Sequence, residues 1–236
     1  MIIIPARLAS TRLPRKVLEK INGTPMVIKT ALGVKDLDEV VIATDSSEVV
    51  DMAKRYNIAS VLTSSSCKSG TDRVFEAAVK LNLKDDEIII NLQADEPFIE
   101  KEVVKKLIKL TKKYAKNPEV IATTCYKIID SNKADDPNIV KVVTSLQDFA
   151  LYFSRSKIPF SRDNNLNSYK AHLGLYGFTT KKLKEFCNMK SGVLEDIEKL
   201  EQLRILDNNK KIALVEVSSN SFGIDTYEDL QKARLL

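Results

Sequence analysis

Ile2-Ile3-Ile4-Pro5-Ala6-Arg7-Leu8-Ala9-Ser10-Thr11-Arg12-Leu13-Pro14-Arg15-Lys16 is the stretch that decides the fold. Ile2 to Ile4 is an apolar run too short for a helix and bounded by Pro5, and it reads as a strand buried on both faces. Ala6 to Lys16 then sets three guanidinium groups, one ammonium and two hydroxyls in a loop at the C-terminal end of that strand. Ligands of open α/β sheets sit outside the carboxyl ends of the strands. Arg7, Arg12, Arg15 and Lys16 offer charge to a polyphosphate there, and exposed backbone N–H groups offer directed donors. Taken alone, the same charges describe a solvated basic loop equally well.

Outward from this loop the chain alternates. Thr24-Pro25 reads as the N-cap and first residue of a helix to about 35, and Thr44-Asp45-Ser46 caps another over 47–56. Short apolar runs at 40–43, 59–62 and 87–92 predict strands, and helices are predicted to end at 81 and to cover 100–115. This βαβαβαβ rhythm predicts an α/β fold with a doubly wound, mostly parallel sheet. Beyond a strand at 120–126 the pattern changes. Runs at 139–143 and 150–153 look like a hairpin, and 169–178 is a strand in which Gly174 and Gly177 suggest close backbone approach. Helices from about 181 and 194, a strand at 212–217 and a helix from about 227 complete the pattern. With no linker or repeat, 1–236 reads as a single domain with an inserted smaller β-containing lobe.

Composition narrows the function. Of 236 residues, 44% are hydrophobic and 29% charged, ordinary for a globular protein. The net charge of +5 balances 37 basic against 32 acidic residues, too mixed for a nucleic-acid-binding signature. The lysines clustered between 101 and 116 read as a solvated helix face. No signal peptide or membrane span is visible, so a cytoplasmic protein without membrane insertion is expected. Cys67, Cys125 and Cys187 lack metal or redox spacing, and the single histidine, His172, excludes a zinc site that needs two.

Two acidic turns carry the candidate chemistry. Gln93-Ala94-Asp95-Glu96-Pro97 directly follows a strand, and Gly223-Ile224-Asp225-Thr226 precedes the last helix. Each aspartate alone has an ordinary reading, as a turn acid or a capping residue. Two of them facing a polyphosphate loop match Mg²⁺, which takes one or two carboxylates and leaves its other positions to phosphates and water. Ser69-Gly70-Thr71-Asp72-Arg73 opens a helix whose amides could meet a base or a phosphate, though Ser and Thr are equally good caps there. Neither a Gly-x-Gly-x-x-Gly fingerprint nor a Gly-Lys-Ser/Thr loop is present, and no hydrolase triad is evident.

The run from Ile3 to Pro14 with Lys16, then Ser69-Gly70-Thr71, Gln93-x-Asp95-Glu96-Pro97, Tyr152-Phe153-Ser154-Arg155, His172-Leu173-Gly174-x-Tyr176-Gly177, Leu200-Glu201-Gln202-Leu203-Arg204 and Asp225-Thr226 share one order. In that order the chain resembles the sugar-nucleotide cytidylyltransferases from residue 2 to about 230. It departs from them at Arg15 and Ala94, where the family usually has Gly, and at Asp196, where His is expected. The resemblance implies a nucleotidyltransferase that uses CTP to activate Kdo (3-deoxy-manno-octulosonate) for lipopolysaccharide biosynthesis. An 8-amino analogue or a sialic acid is the alternative acceptor. It further implies a homodimer with a nucleotide-binding half at about 1–127, a sugar-binding and dimerisation lobe at about 128–210, and a returning strand and helix at 211–236. Arg7, Lys16, Asp95 and Asp225 are the implied catalytic residues, with Asp95 and Asp225 holding Mg²⁺. Pro5, Ala6, Arg7, Arg12, Lys16, Ser69, Gly70 and Arg73 are the implied nucleotide contacts. Gln93, Arg155, His172, Tyr176, Glu198 and Gln202 are the implied acceptor contacts; Glu195, Glu198 and Gln202 are expected to share one helical face by spacing. A GT-A-type glycosyltransferase and a non-catalytic nucleotide-binding regulator are the competing classes.

Overall fold

The computed structural model describes residues 1–9 and 13–236. Its strands are β1 (Ile2–Ala6), β2 (Lys20–Ile21), β3 (Thr24–Pro25), β4 (Val40–Thr44), β5 (Ala59–Leu62), β6 (Ile88–Asn91), β7 (Val120–Asp130), β8 (Lys141–Thr144), β9 (Ala150–Ser154), β10 (Ser168–Thr179) and β11 (Lys211–Glu216). Its helices are α1 (Met26–Val34), α2 (Ser47–Arg55), α3 (Gly70–Lys80), α4 (Lys101–Tyr114), α5 (Thr180–Asn188), α6 (Val193–Glu198), α7 (Leu203–Asp207) and α8 (Tyr227–Arg234). The main sheet runs β11-β7-β10-β6-β1-β4-β5, and the β8–β9 hairpin joins it through β10.

β1 pairs in parallel with β4 on one side and β6 on the other, and only β10 opposes its sheet neighbours β6 and β7. The chain therefore leaves β1 in one direction and returns to its other flank. That reversal is the topological switch point where doubly wound sheets open a crevice. Strand pleating explains the all-apolar run at its centre. Ile2, Ile4 and Ala6 face a core formed with α1, α2 and α4, while Ile3 faces a second core formed with α3, α5 and α7.

Two local expectations are corrected. Thr24 and Pro25 do not cap α1 with a side chain; they pair with Ile21 and Lys20 across a turn in which Asn22 (φ 50) and Gly23 (φ 84) are both left-handed. Gly177 is confirmed as a close approach, since a Cβ there would lie 2.0 Å from Thr111 Oγ1 and 2.6 Å from Thr123 Oγ1, but Gly174 faces open space beside a register shift in β10. Among the described residues no helix is long and apolar enough to cross a membrane.

Candidate active site

Three distant segments meet at the C-terminal ends of β1 and β6. Arg7 is exposed just past β1, and Arg12 lies outside the described residues. Leu13 is buried, and its carbonyl accepts from the Lys16 amide at 3.2 Å. Arg15 stands at φ 58, the left-handed region that glycine enters freely, which accounts for the family's usual Gly. Its guanidinium pairs with Glu48 of α2. Ala94 needs no such licence, as its φ is not positive, and Asp196 is an exposed acid in the first turn of α6.

Lys16 Nζ donates to Asp95 Oδ2 at 2.6 Å, to Asp225 Oδ1 at 2.8 Å and to the Ile224 carbonyl at 3.3 Å. Burial alone would lower the Lys16 pKa, but Asp95 and Asp225 outweigh it and hold the ammonium above the ordinary lysine value. The backbone fixes the two acids as well, because the Ile224 amide donates to the Asp95 carbonyl at 3.0 Å. Two carboxylates converging on one cationic nitrogen are the protein share that Mg²⁺ uses when phosphates supply its other ligands, so the residues fit the ion. Among the described residues no cluster of three or more His, Cys, Asp or Glu groups suited to a metal is present. Glu96, beside the pair, accepts from Ser221 Oγ at 2.7 Å; burial pushes its carboxyl up to about 7.

On the nucleotide side, Gly70 packs on the β1 end: a Cβ there would lie 3.3 Å from Pro5 and 3.5 Å from Gln93 Oε1. Ala6 closes β1 and is buried. Ser69 is committed to a capping box with Asp72, the hydroxyl accepting from the Asp72 amide and the Ser69 amide donating back, both at 3.1 Å. Arg73 is 3% exposed and turned inward, donating to Thr63 Oγ1 at 2.6 Å and Asp45 Oδ2 at 2.8 Å. It braces the loops after β4 and β5 and does not face the crevice with free donors.

The residues expected to meet the acceptor fall into separate bonded groups. Gln93 Nε2 donates to Asn91 Oδ1 at 3.2 Å, Asn91 Nδ2 to Thr71 Oγ1 at 3.1 Å, and Thr71 Oγ1 to Glu201 Oε1 at 2.5 Å. Tyr176 pairs with Asn91 across the β10–β6 ladder, and its ring lies 5.4 Å from that of His172. Gln202 is buried beside them. The His172 ring is wedged against Phe153 at 4.9 Å with Nε2 2.9 Å from Thr124 Oγ1, and burial pushes its pKa down to about 3. Arg155 donates to the backbone carbonyls of Glu198 (2.8 Å), Pro137 (3.1 Å) and Lys199 (3.5 Å). Glu198 in turn accepts from Ser154 Oγ at 2.6 Å and the Arg155 amide at 2.9 Å. Glu195, Glu198 and Gln202 do not share a helical face, because Lys199 at φ 54 ends α6 and Gln202 begins α7. Nearby, the fully buried Lys141 gives its ammonium to the carbonyls of Asp136, Ile139 and Arg155.

Several participants escaped sequence reasoning. Glu96 adjoins Asp95 in the same turn, a signal that could have found it. Lys127 and Glu201 bond to groups far away in sequence, for which spacing offers no sign.

A family model described as cytidylyltransferase matches residues 1–212. The 3-deoxy-manno-octulosonate cytidylyltransferase of Nitratiruptor sp. is 56% identical over 232 residues, covering 98% of this chain and 97% of the relative. That of Helicobacter pylori is 51% identical over 237 residues, covering 99% and 96%. The solved structure of a CMP:2-keto-3-deoxy-manno-octonic acid synthetase complexed with CTP superposes with a TM-score of 0.89 at 35% identity, covering 99% of this chain and 96% of the other.

Proposed function

The chain belongs to the cytidylyltransferase family, and from that premise we propose that it activates Kdo with CTP, giving CMP-Kdo and pyrophosphate. The observation that carries this reading is the convergence of Lys16, Asp95 and Asp225 at the switch point of the sheet. The names of the full-length relatives support the acceptor, and the CTP complex of the similar structure supports the donor.

In the proposed reaction the anomeric hydroxyl of the sugar attacks the α-phosphorus in line. A new O–P bond forms, the α–β bridging P–O bond breaks with its electron pair leaving on pyrophosphate, and the hydroxyl proton passes to solvent. Such transfer needs orientation and charge neutralisation more than covalent participation by the protein. Arg7 and Lys16 would meet the triphosphate, supported by Arg12, and Lys16 would exchange its carboxylate partners for phosphate oxygens as the nucleotide enters. Asp95 and Asp225 would hold Mg²⁺, which when bound lowers the pKa of the attacking hydroxyl and screens the α-phosphate. Pro5, Ala6, Ser69 and Gly70 would frame the cytidine, with Arg73 acting through the loops it braces.

Gln93, His172, Tyr176 and Gln202 would line the sugar, with Glu198 locking the turn that carries Arg155. Arg155 suits the acyl carboxylate because a guanidinium grips it bidentately, and its two exposed bonds, to Pro137 and Lys199, are the ones it would exchange. The same proposal assigns nucleotide binding to about 1–127, sugar binding and homodimer formation to about 128–210, and a returning strand and helix to 211–236, in a cytoplasmic enzyme. Exposed Phe160, Val193 and Ile197 give the lobe the apolar surface a dimer contact needs. Pyrophosphate release measured over a panel of acyl sugars and all four nucleotides tests the reading. Turnover should require CTP together with Kdo or its 8-amino analogue, and release with no acyl sugar, or with another nucleotide alone, would overturn it.

A further inference from the structure

Asp225 reaches the site on an irregular stretch between β11 and α8, residues 217–226. Irregular chain retains conformational freedom unless something removes it, so the place of this carboxylate depends on the ties of that stretch. Those ties come from β7, the sheet neighbour of β11, and from the turn between β6 and α4. Lys127 of β7 donates from Nζ to the carbonyls of Ser221 at 2.8 Å and Ser219 at 3.3 Å. Glu100, just before α4, accepts from Ser219 Oγ at 2.6 Å and from the Asn220 amide at 2.7 Å. Glu96 takes the Ser221 hydroxyl, and Phe222 stacks on Phe98 with ring centroids 5.8 Å apart. One ammonium and two carboxylates thus grip three consecutive residues, and four residues further on the chain delivers Asp225 to Lys16.

Resting on the reading that Asp95 and Asp225 hold the cation, we propose that Lys127 is a positioning residue for that pair. Through the carbonyls of Ser219 and Ser221 it fixes the segment that sets Asp225 beside Asp95, while touching neither of them. Its charge matters beyond its shape. A charge-assisted bond to two carbonyls is stronger than a neutral one, and an ammonium here also offsets Glu96 and Glu100, which would otherwise add negative charge beside the pair.

The test compares Mn²⁺ binding by the full chain saturated with a non-hydrolysable CTP analogue, followed by electron paramagnetic resonance, with the Mg²⁺ dependence of turnover at saturating CTP. Lys127→Met should raise both half-saturation concentrations about tenfold, as loss of groups that orient metal ligands commonly does, and leave KM for the sugar nearly unchanged. Lys127→Arg should restore most of the loss. Lys106→Met, which removes a weak bond to the Glu216 carbonyl at the end of β11, should match wild type. If Lys127→Met does not fold, Glu100→Gln must shift metal dependence in the same direction. Asp225→Asn separates the two ideas. Absent wild-type Mn²⁺ binding, or equal binding by Asp225→Asn, would sink the site reading itself. Weakened binding in Asp225→Asn with wild-type metal dependence in Lys127→Met, or in its substitute Glu100→Gln, would overturn the positioning proposal alone.

Discussion

His172 should keep its ring neutral to a pH at which almost every exposed histidine is charged. The chain has no other histidine, so the imidazole C2 proton gives a single, unambiguous magnetic resonance signal. In the fold the ring is enclosed by Phe153 and Tyr176 and bonded to Thr124, and burial takes its pKa from 6.5 to about 3. The sign follows from proton binding. Between the two values the unfolded chain holds a proton that the folded chain refuses, so this group's stability contribution is intact above the unfolded pKa and falls with decreasing pH through that window. At pH 5 the loss integrates to about 2 kcal/mol relative to neutral pH, and any folded pKa below about 4 gives nearly the same figure. Urea unfolding of wild type and His172→Gln at pH 7.5 and 5.0 reads it directly. Carboxylates act on both proteins alike, so wild type should lose about 2 kcal/mol more than the variant over that interval. A C2 proton that titrates near the ordinary histidine value, or equal losses in the two proteins, would refute the enclosure of the ring.

Asp95→Asn and Asp225→Asn should each lower kcat by about two orders of magnitude or more with the fold intact, and the double variant should be little worse if, as proposed, both hold one ion; additive losses in steady-state assays would separate their roles. Gly177→Ala should cost about 1–3 kcal/mol in urea unfolding, because its methyl group would collide with the bonded hydroxyls of Thr111 and Thr123. Arg15→Gly should leave stability within about 0.5 kcal/mol of wild type, while Arg15→Val should lose about 1–2 kcal/mol, since a β-branched residue tolerates φ 58 poorly.

The strands β1, β4 and β5 were legible because each is a short apolar run with a proline in it or a capping hydroxyl at its end. Predicted limits at 40–43, 59–62 and 87–92 fall within one residue of β4, β5 and β6. The β2–β3 hairpin was missed although Asn22-Gly23 is a recognised two-residue turn, because the Thr24-Pro25 pair beside it also satisfies a helix start. Lys16, Asp95 and Asp225 were expected to share one place, and the direct bonds from Lys16 to both acids are what the sequence left out. The spacing of Glu198 and Gln202 misled, because a single left-handed residue, Lys199, cancels helical periodicity without any mark in the pattern. The resemblance implies ligand contacts for Arg73 and Arg155, but motif order says nothing of the bonds they make within the fold. Their inward and backbone-directed bonds depend on partners tens of residues away.

The cluster that packs Leu13, Ile21 and Met26 against Ile224, Leu230 and Ala233 stitches the two ends of the chain together directly behind Lys16 and Asp225. During synthesis, everything from β1 to β11 is polymerised before the second of the two converging carboxylates is added. A chain that lacks its last helix therefore holds half of the proposed cation site and an uncovered apolar patch beside Leu13. On the proposed mechanism, both carboxylates stand in place only once that helix has docked.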